Sequence, residues 1–291
     1  MKKQGKIAVI GTGRLGTSLG NALACAGYGL AGLADSDIRA ARRAKRIIGR
    51  GQPTLDSAAA AAAADIVFLT VPDDALARAV SRLCAGEFDG RGKTVFHTSG
   101  ILPASRLSRL AARGAAVGSF HPAQSFPTPS TPPSHFRETV FGLEGDPAAV
   151  RTAKTLVRAL GGRPVVLEAG QKALYHAACV LASNLLPPLI ELAVQTMTAA
   201  GIPAAVAKKA LLPLIEGTLR NVKVLDAHKA LTGPLIRLDF ETIERQLKAL
   251  RRIPRAREAY RTVGLASLDL LKKRGAGAGS IKRLRALLEG K

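Results

Sequence analysis

Residues 6–16 read KIAVIGTGRLG, and this stretch decides the fold class of the chain. Five β-prone residues run into a G-x-G-x-x-G turn, whose glycines are Gly11, Gly13 and Gly16, and an alanine-rich helical pattern follows. In such a turn the first glycine permits the tight bend, the second lets the backbone approach a pyrophosphate, and the third allows the helix to pack closely on the sheet. The stretch therefore predicts a strand, a turn and a helix whose N-terminus faces the phosphates of a dinucleotide.

The cofactor predicted for this turn is NAD or NADP. In dinucleotide-binding folds an acidic residue about 20 positions past the glycines hydrogen-bonds the ribose 2′-hydroxyl and favours NAD, and Asp35 has that position. Asp35 could instead cap the helix that follows it. Arginines close by in sequence favour the 2′-phosphate of NADP, because a guanidinium matches phosphate. The choice between the two cofactors therefore stays open; the arginines concerned are Arg14, Arg39, Arg42 and Arg43.

Composition indicates a globular protein. The 291 residues, 47% of them hydrophobic, suffice for two domains with sizeable cores. The chain has no run of eighteen uninterrupted apolar residues and no apolar leader with a cleavage site, so we expect a soluble, cytoplasmic protein without a membrane partner. The three cysteines are widely spaced in apolar patterns, which favours buried thiols, and no metal site is expected.

The net charge of +22 is compatible with nucleic acid or with a small anionic substrate as a partner. Much of the excess lies after residue 245, where lysines and arginines alternate with leucines at helical spacing. Aromatic side chains for base stacking are nearly absent there, and no nucleic-acid-binding motif occurs. We interpret the pattern as a solvated helix face, so a nucleic-acid partner is not expected.

The apolar run 65–71 predicts a strand that is covered on both faces. Val71 and Pro72 lie at its carboxyl end, which is where doubly wound sheets bind their cofactors. The predicted cofactor-binding residues are Gly11, Thr12, Gly13, Arg14, Leu15, Gly16, Asp35, Val71, Pro72 and Ser99.

Two later strands, predicted over residues 93–96 and 115–120, also end in polar residues. His97 and Ser99 follow the first strand, and His121 follows the second. Polar ends on consecutive strands indicate a site, and we interpret both histidines as substrate contacts. His97 and Ser99 could instead cap the next helix, and His121 could be a hydrogen-bonded structural histidine.

The predicted fold class is α/β, with an N-terminal Rossmann-type doubly wound parallel sheet followed by an all-helical C-terminal domain. Strand patterns end near residue 167, so residues 1–168 are predicted to form the dinucleotide-binding domain and residues 169–291 the substrate and dimerisation domain. Prolines, Pro213 among them, punctuate the helical patterns. The helices are apolar on more than one face, which predicts a homodimer.

The first helix of the second domain is predicted over residues 171–184 and carries a candidate site. Lys172 and His176 are four residues apart and share a face, with Asn184 two turns further on. Two cationic side chains at this spacing do not stabilise a helix, so the pair favours a function over a solvated face.

Longer motifs extend beyond the glycine turn. They are Val-Pro-Asp at 71–73, His-Thr-Ser-Gly at 97–100, His-Pro-Ala-Gln-Ser-Phe at 121–126, Lys-x-x-Tyr-His at 172–176, Asn184, and Leu-Thr-Gly-Pro-x-x-Arg-x-Asp at 231–239. Together they resemble the two-domain family that combines a Rossmann-like domain with domain of unknown function 2520, and the resemblance spans nearly the whole chain. That family is similar in layout to ketopantoate reductase and other members of the 6-phosphogluconate dehydrogenase C-terminal-like superfamily, in which the helical domain commonly dimerises.

The resemblance implies roles for individual residues. In the β-hydroxyacid dehydrogenases and ketopantoate reductases a lysine, followed four residues later by asparagine, serves the substrate. Lys172 matches this lysine, and His176 replaces the asparagine. We interpret Arg237 as a clamp on a substrate carboxylate. The predicted catalytic residues are Lys172, His176 and Asn184, and the predicted substrate residues are His97, His121, Thr232, Gly233, Arg237 and Asp239.

These observations predict an NAD(P)-dependent oxidoreductase that reduces the carbonyl of a small 2-oxo acid, with ketopantoate as the specific candidate. Hydride transfer leaves negative charge on the carbonyl oxygen, and Lys172 is expected to supply the cation or proton for it. One alternative is an imine reductase of the pyrroline-5-carboxylate type. Another is a non-catalytic dinucleotide-binding regulator.

Overall fold

The computed structural model describes residues 5–86 and 88–290. The chain divides into two compact units, Met1–Leu181 and Ala182–Lys291. The first unit contains an eight-stranded sheet, and the described part of the second unit is helical. The predicted boundary at residue 168 lies before this division, because the helix that starts at Lys172 packs with the sheet unit.

The sheet has the strand order β3-β2-β1-β4-β5-β6-β7-β8. This order, with the first strand near the middle, is that of a doubly wound sheet. The short strand β3 was not predicted. The strands are β1 Lys6–Ile10, β2 Gly29–Ala34, β3 Gln52–Thr54, β4 Ile66–Leu69, β5 Thr94–His97, β6 Ala116–Pro122, β7 Val140–Gly145 and β8 Arg163–Val166.

One strand pair departs from the predicted parallel sheet, since β6 and β7 run antiparallel while all other neighbours are parallel. Parallel neighbours require a long crossover connection, usually a helix. Residues 123–139, which join β6 to β7, contain only a short 3₁₀ turn at Pro133–Phe136, so the chain returns in the opposite direction.

The helices of the first unit cover both faces of the sheet, as the continuous apolar strands predict. The core between helices and sheet includes a cluster of phenylalanine rings. The ring centroid of Phe68 lies 5.3 Å from that of Phe96 and 5.2 Å from that of Phe120. These helices are α1 Arg14–Cys25, α2 Ile38–Ile48, α3 Ser57–Ala62, α4 Asp73–Ala85, α5 Ser108–Ala111, α6 Pro147–Ala159 and α7 Lys172–Cys179.

The second unit has its own core of leucine and isoleucine side chains, which include Ile243 and Leu284, both fully buried. Pro213, one of the prolines that punctuate the helical patterns in the sequence, lies inside α9 and does not end it. The α-helices that follow α7 are α8 Leu186–Ala199, α9 Ala204–Val224, α10 Ala227–Ala230, α11 Pro234–Arg237, α12 Phe240–Ala249, α13 Pro254–Ala266, α14 Leu268–Lys273 and α15 Ala278–Glu289.

One helical stretch, Ala169–Ala199, is long and apolar enough to cross a membrane. It has 31 residues, and an 18-residue window within it has a mean hydropathy of 1.7 and is 6% buried. The expectation of no membrane partner rested on the absence of eighteen uninterrupted apolar residues. The 18-residue window, by contrast, is apolar on average and contains polar residues. Length and composition do not distinguish a membrane span from a helix that another protein chain covers.

Candidate functional site

The three glycines of the turn have different surroundings. Gly11 has a φ of +97°, and a Cβ there would come within 2.9 Å of the Thr70 backbone. A Cβ on Gly16 would overlap the carbonyl oxygen of Gly11. A Cβ on Gly13, by contrast, would have no atom within 4 Å in the described structure. The fold therefore requires Gly11 and Gly16, while Gly13 leaves open space for a ligand.

A cavity of about 340 Å³ opens beside this turn. Gly13 is the N-cap of α1, and no side chain caps the helix, so its first N–H groups can receive an anion. The cavity brings together half of the predicted cofactor residues and several that were not predicted. It is lined by Gly11, Gly13, Asp35, Val71 and Pro72, and also by Ser36, Leu55, Ser57, Arg78 and Arg82.

Five predicted cofactor residues do not line this cavity. Four of them make contacts elsewhere in the first unit. Thr12 is buried and bonds to Asp35, and Leu15 packs against the core of the first unit. Gly16 serves helix packing, as described above. Ser99 donates a hydrogen bond to the Asp73 carboxylate at 2.9 Å and accepts one from the Leu102 amide at 3.0 Å, whereas the N-cap of the next helical turn is Pro103. The fifth residue is the exposed Arg14.

Asp35 holds the glycine turn in place. Its Oδ2 accepts hydrogen bonds from the Thr12 amide at 2.7 Å and from the Thr12 hydroxyl at 2.9 Å. Its Oδ1 accepts from the Asp37 amide at 3.1 Å. The N-cap of α2 is Asp37, which accepts from the Arg39 amide. Asp35 is therefore a clamp between two loops rather than the N-cap that was considered.

His97 is a structural histidine, which corrects its prediction as a substrate contact. The side chain is fully buried. Its Nδ1 accepts from the Ser99 amide at 3.2 Å, so the ring proton lies on Nε2, which donates to the Pro103 carbonyl at 3.2 Å. Burial, together with the nearby Lys172 ammonium, lowers the pKa of His97 to about 4. Both ring nitrogens are occupied, so none remains for a substrate.

Lys172 lies inside the first unit rather than at a surface. Its side chain is fully buried, and its ammonium donates to the Ser119 hydroxyl and, at 3.1 Å, to the Ser99 carbonyl. Burial lowers the pKa of Lys172 to about 8, and the carboxylates of Glu144 and Asp73 offset part of this effect. The ammonium thus joins the ends of β5 and β6.

Beside Lys172 lies a cluster of three rings, His121, Tyr175 and His176, hereafter the ring cluster. His121 Nδ1 lies 3.1 Å from the Tyr175 hydroxyl, and its ring centroid lies 5.6 Å from that of His176. Burial is the main cause that lowers the pKa of His121 to about 4, with the His176 and Lys172 charges adding to it. Burial also raises the pKa of Tyr175, so the phenol stays protonated. His121 and Tyr175 are therefore neutral side chains that can donate hydrogen bonds.

Gly100 is the point where the ring cluster meets the end of β5. A Cβ at Gly100 would lie 2.8 Å from Nε2 of His121 and would overlap the ring of His176. The Tyr175 hydroxyl lies 3.1 Å from Nδ1 of His121 and 3.4 Å from the His121 carbonyl, to which it donates. When its proton goes to Nδ1 instead, the proton of the neutral imidazole lies on Nε2. Tyr175 and Ser119 were not predicted; the position of Tyr175 in the 172–176 motif was the signal that could have found it.

The remaining predicted residues belong to the second unit. Asp239 is the N-cap of α12 and accepts from the Thr242 amide at 3.1 Å and the Thr242 hydroxyl at 2.8 Å. These bonds, more than the nearby arginines, hold the pKa of Asp239 below its usual value. Asp239 thus has a capping role. Asn184, in the π-helical turn Val180–Asn184, is exposed, as are Thr232 and Arg237, while Gly233 has a φ of +91°. The roles predicted for these four stay predictions.

Comparison with known proteins confirms the resemblance. A Rossmann-like domain matches residues 2–122, and the domain of unknown function DUF2520 matches residues 139–267. No curated protein sequence matches the chain.

Similar solved structures cover nearly the whole chain. A proposed NADP oxidoreductase from Bacteroides fragilis has 24% identity and a TM-score of 0.74, covering 91% of this chain and 98% of that protein. A Thermotoga maritima protein has 23% identity and a TM-score of 0.73, covering 93% and 100%. A reductive aminase from Aspergillus terreus, solved with NADPH, has 19% identity and a TM-score of 0.62, covering 99% and 93%. At these identities the likeness concerns the fold.

Proposed function

We propose, from the premise that this chain pairs a Rossmann-like domain with a DUF2520 domain, that it is an NAD(P)-dependent oxidoreductase. Its reaction would be the reduction of a small 2-oxo acid, with ketopantoate as the specific candidate. The observation that carries the proposal is the open space at Gly13 on the same sheet edge as the ring cluster. The strands β1, β4, β5 and β6 are successive neighbours in the sheet, and ligands of doubly wound sheets lie across their carboxyl ends.

The residues at the turn fit a dinucleotide. The cavity reaches Gly13, where a side chain is absent, and the uncapped start of α1 supplies N–H groups to a pyrophosphate. Gly11, Gly13 and Val71 would hold the cofactor there. A bound nicotinamide supplies the hydride for the reduction. The similar fold of the NADPH-bound reductive aminase supports this assignment.

The ring cluster supplies what the substrate oxygen requires. Negative charge develops on that oxygen as hydride arrives, and a fixed N–H donor stabilises it. His121 is suited to this because its low pKa keeps the ring neutral. In this proposal Tyr175 donates to Nδ1, which leaves the ring proton on Nε2. His176, next to it, can exchange the proton with solvent or substrate. Lys172 contributes its charge and positions Ser99 and Ser119.

The decisive experiment follows oxidation of NADPH and NADH over a panel of 2-oxo acids, ketopantoate included, and of cyclic imines. We expect turnover with 2-oxo acids. Turnover confined to cyclic imines would replace the proposed substrate class by that of the imine reductases. Nucleotide binding without turnover of any panel member would favour the regulator, and absence of nucleotide binding would refute the whole proposal.

Lys172 makes the rate depend on pH. A protonated Lys172 is the cationic form, and its pKa of about 8 means that the charge is lost as pH rises through that value. We therefore expect kcat/KM of the wild type to fall above about pH 8. Lys172→Met should lower the rate and remove this fall, because methionine fills the same space without titrating. A pH-rate profile of both proteins checks this.

A matched variant separates charge from packing. Because Lys172 is fully buried, Lys172→Ala should also lower the melting temperature by leaving a cavity. If Lys172→Met keeps the fall above pH 8, another group causes it and the role given to Lys172 is wrong.

We infer a homodimer formed through the second unit. An apolar cavity of about 710 Å³ is open at its surface and includes Leu189, which is 42% exposed. Leu185, Leu212 and Leu219 are also exposed large apolar side chains of this unit. Such apolar surface on a folded unit marks an interface, and a second copy of the chain is the partner most often found in soluble proteins.

Light scattering at micromolar protein concentration should give the mass of a dimer. Leu189→Arg should give a monomer, because a charge in an apolar interface is costly. Ile47→Arg, at an exposed apolar position of α2 in the first unit, is the matched control and should leave the dimer intact. A wild-type monomer would contradict the inference.

A further inference from the structure

Two arginines that the glycine motif does not predict line the nucleotide cavity. Arg78 and Arg82 are four residues apart on α4, so they lie on the same face of that helix. The hydroxyl-bearing Ser36 and Ser57 line the same cavity. Guanidinium and hydroxyl groups are the side-chain donors that commonly bind phosphate monoesters in proteins.

The acidic residue of this cavity is already engaged. Both oxygens of Asp35 accept two hydrogen bonds from the protein itself, at Oδ2 from the amide and hydroxyl of Thr12, and at Oδ1 from the Asp37 amide and, at 3.5 Å, the Ser36 hydroxyl. An ionised carboxylate accepts about four hydrogen bonds, so little capacity remains for a ribose hydroxyl. Asp35, the residue that favoured NAD in the sequence, therefore holds the glycine turn in place. The other charged side chains that line the cavity, Arg78 and Arg82, are cations.

The cavity also has an apolar part. Leu55 is 61% exposed although it is a large apolar side chain, and Val71 and Ala79 line the same space. Exposed apolar side chains beside donors are typical of a site for a flat aromatic base that carries an anionic group. An adenosine moiety with a phosphate on its ribose has these two properties.

We propose, resting on the function proposed above, that this cavity selects NADP(H) over NAD(H), with Arg78 and Arg82 binding the 2′-phosphate. Leu55 would contact the adenine. The arginines of α2 that the sequence suggested for this role have a different position, since Arg42 and Arg43 do not line the cavity. Asp35 then acts on both nucleotides equally, by holding the glycine turn.

Titrations of the full-length protein with NADPH, NADH, adenosine 2′,5′-bisphosphate and AMP test the proposal. The wild type should bind NADPH and the bisphosphate at least about tenfold more tightly than their counterparts without the 2′-phosphate. Arg78→Ala and Arg82→Ala should each weaken NADPH by about tenfold to a hundredfold and leave NADH nearly unchanged. Arg42→Ala and Arg43→Ala are the matched controls and should change neither affinity.

Several outcomes would overturn the proposal. Equal affinities of the wild type for NADPH and NADH would overturn it. An equal loss of affinity for NADPH and NADH in the Arg78 and Arg82 variants would also overturn it, because the arginines would then contact a part of the cofactor that both nucleotides contain. A selective loss of NADPH in the Arg42 and Arg43 variants would move the site to α2. If the wild type binds neither nucleotide, the proposed function fails as well, whereas the earlier outcomes leave it standing.

Discussion

Gly13→Val should abolish binding of both NADPH and NADH while the melting temperature stays close to that of the wild type. The open space at Gly13 is where a pyrophosphate is expected, so the new side chain would occupy the ligand's position and meet no protein atom within 4 Å of its Cβ. The loss of affinity should be on the order of 100-fold or more, because the helix N-terminus could no longer be reached. Isothermal titration and thermal unfolding measure the two quantities.

Two other glycines make this test specific. Gly279→Val adds the same atoms at an open, exposed position of α15 and should leave nucleotide affinity unchanged. Gly16→Ala, although smaller, should lower the melting temperature, because its Cβ would overlap the Gly11 carbonyl. If Gly13→Val binds NADPH as tightly as the wild type, the dinucleotide does not lie at this turn.

His121→Phe should lower kcat by on the order of 100-fold or more and leave the dissociation constant of NADPH nearly unchanged. Phenylalanine keeps the ring and removes both nitrogens, so the N–H that would stabilise charge on the substrate oxygen is lost. Tyr175→Phe should cost less, because it keeps the His121 imidazole and removes only its hydroxyl partner, which lies 3.1 Å from Nδ1. Steady-state kinetics on a substrate identified by the panel, with a nucleotide titration beside it, give both values.

The control for this prediction is His135→Phe. His135 lies in the loop between β6 and β7, where its Nε2 is 2.9 Å from the Ser125 carbonyl, and it is outside the ring cluster. Its substitution should leave kcat within about twofold of the wild type, as expected for a residue without a catalytic contact. A wild-type rate in His121→Phe would exclude His121 as the donor, and His176 would be the next residue to test.

Local patterns in the sequence were enough to predict the layers of the first unit. The continuous apolar run 65–71 indicates a strand buried on both faces, and β4 at Ile66–Leu69 is buried as expected. The strands predicted over residues 93–96 and 115–120 correspond to β5 at Thr94–His97 and β6 at Ala116–Pro122. Such features depend on residues close together in the chain, so they can be read from sequence alone.

Features that depend on distant parts of the chain were missed. The short strand β3 has its pairing partner in β2, and the antiparallel direction of β7 depends on what its connecting loop contains. Pro213 is tolerated in α9 although its missing N–H weakens a helix locally.

For the candidate site, the sequence by itself determined which residues stand at the carboxyl ends of the strands, since the position of a strand along the chain and the glycine spacing are local patterns. The tertiary structure alone decided what these residues touch. It encloses Lys172 and His97 and engages Asp35 with the glycine turn, while His121 and Tyr175 pair across a sequence separation of 54 residues. Burial and hydrogen-bond partners arise from contacts between distant segments, and they set both pKa and access to a ligand.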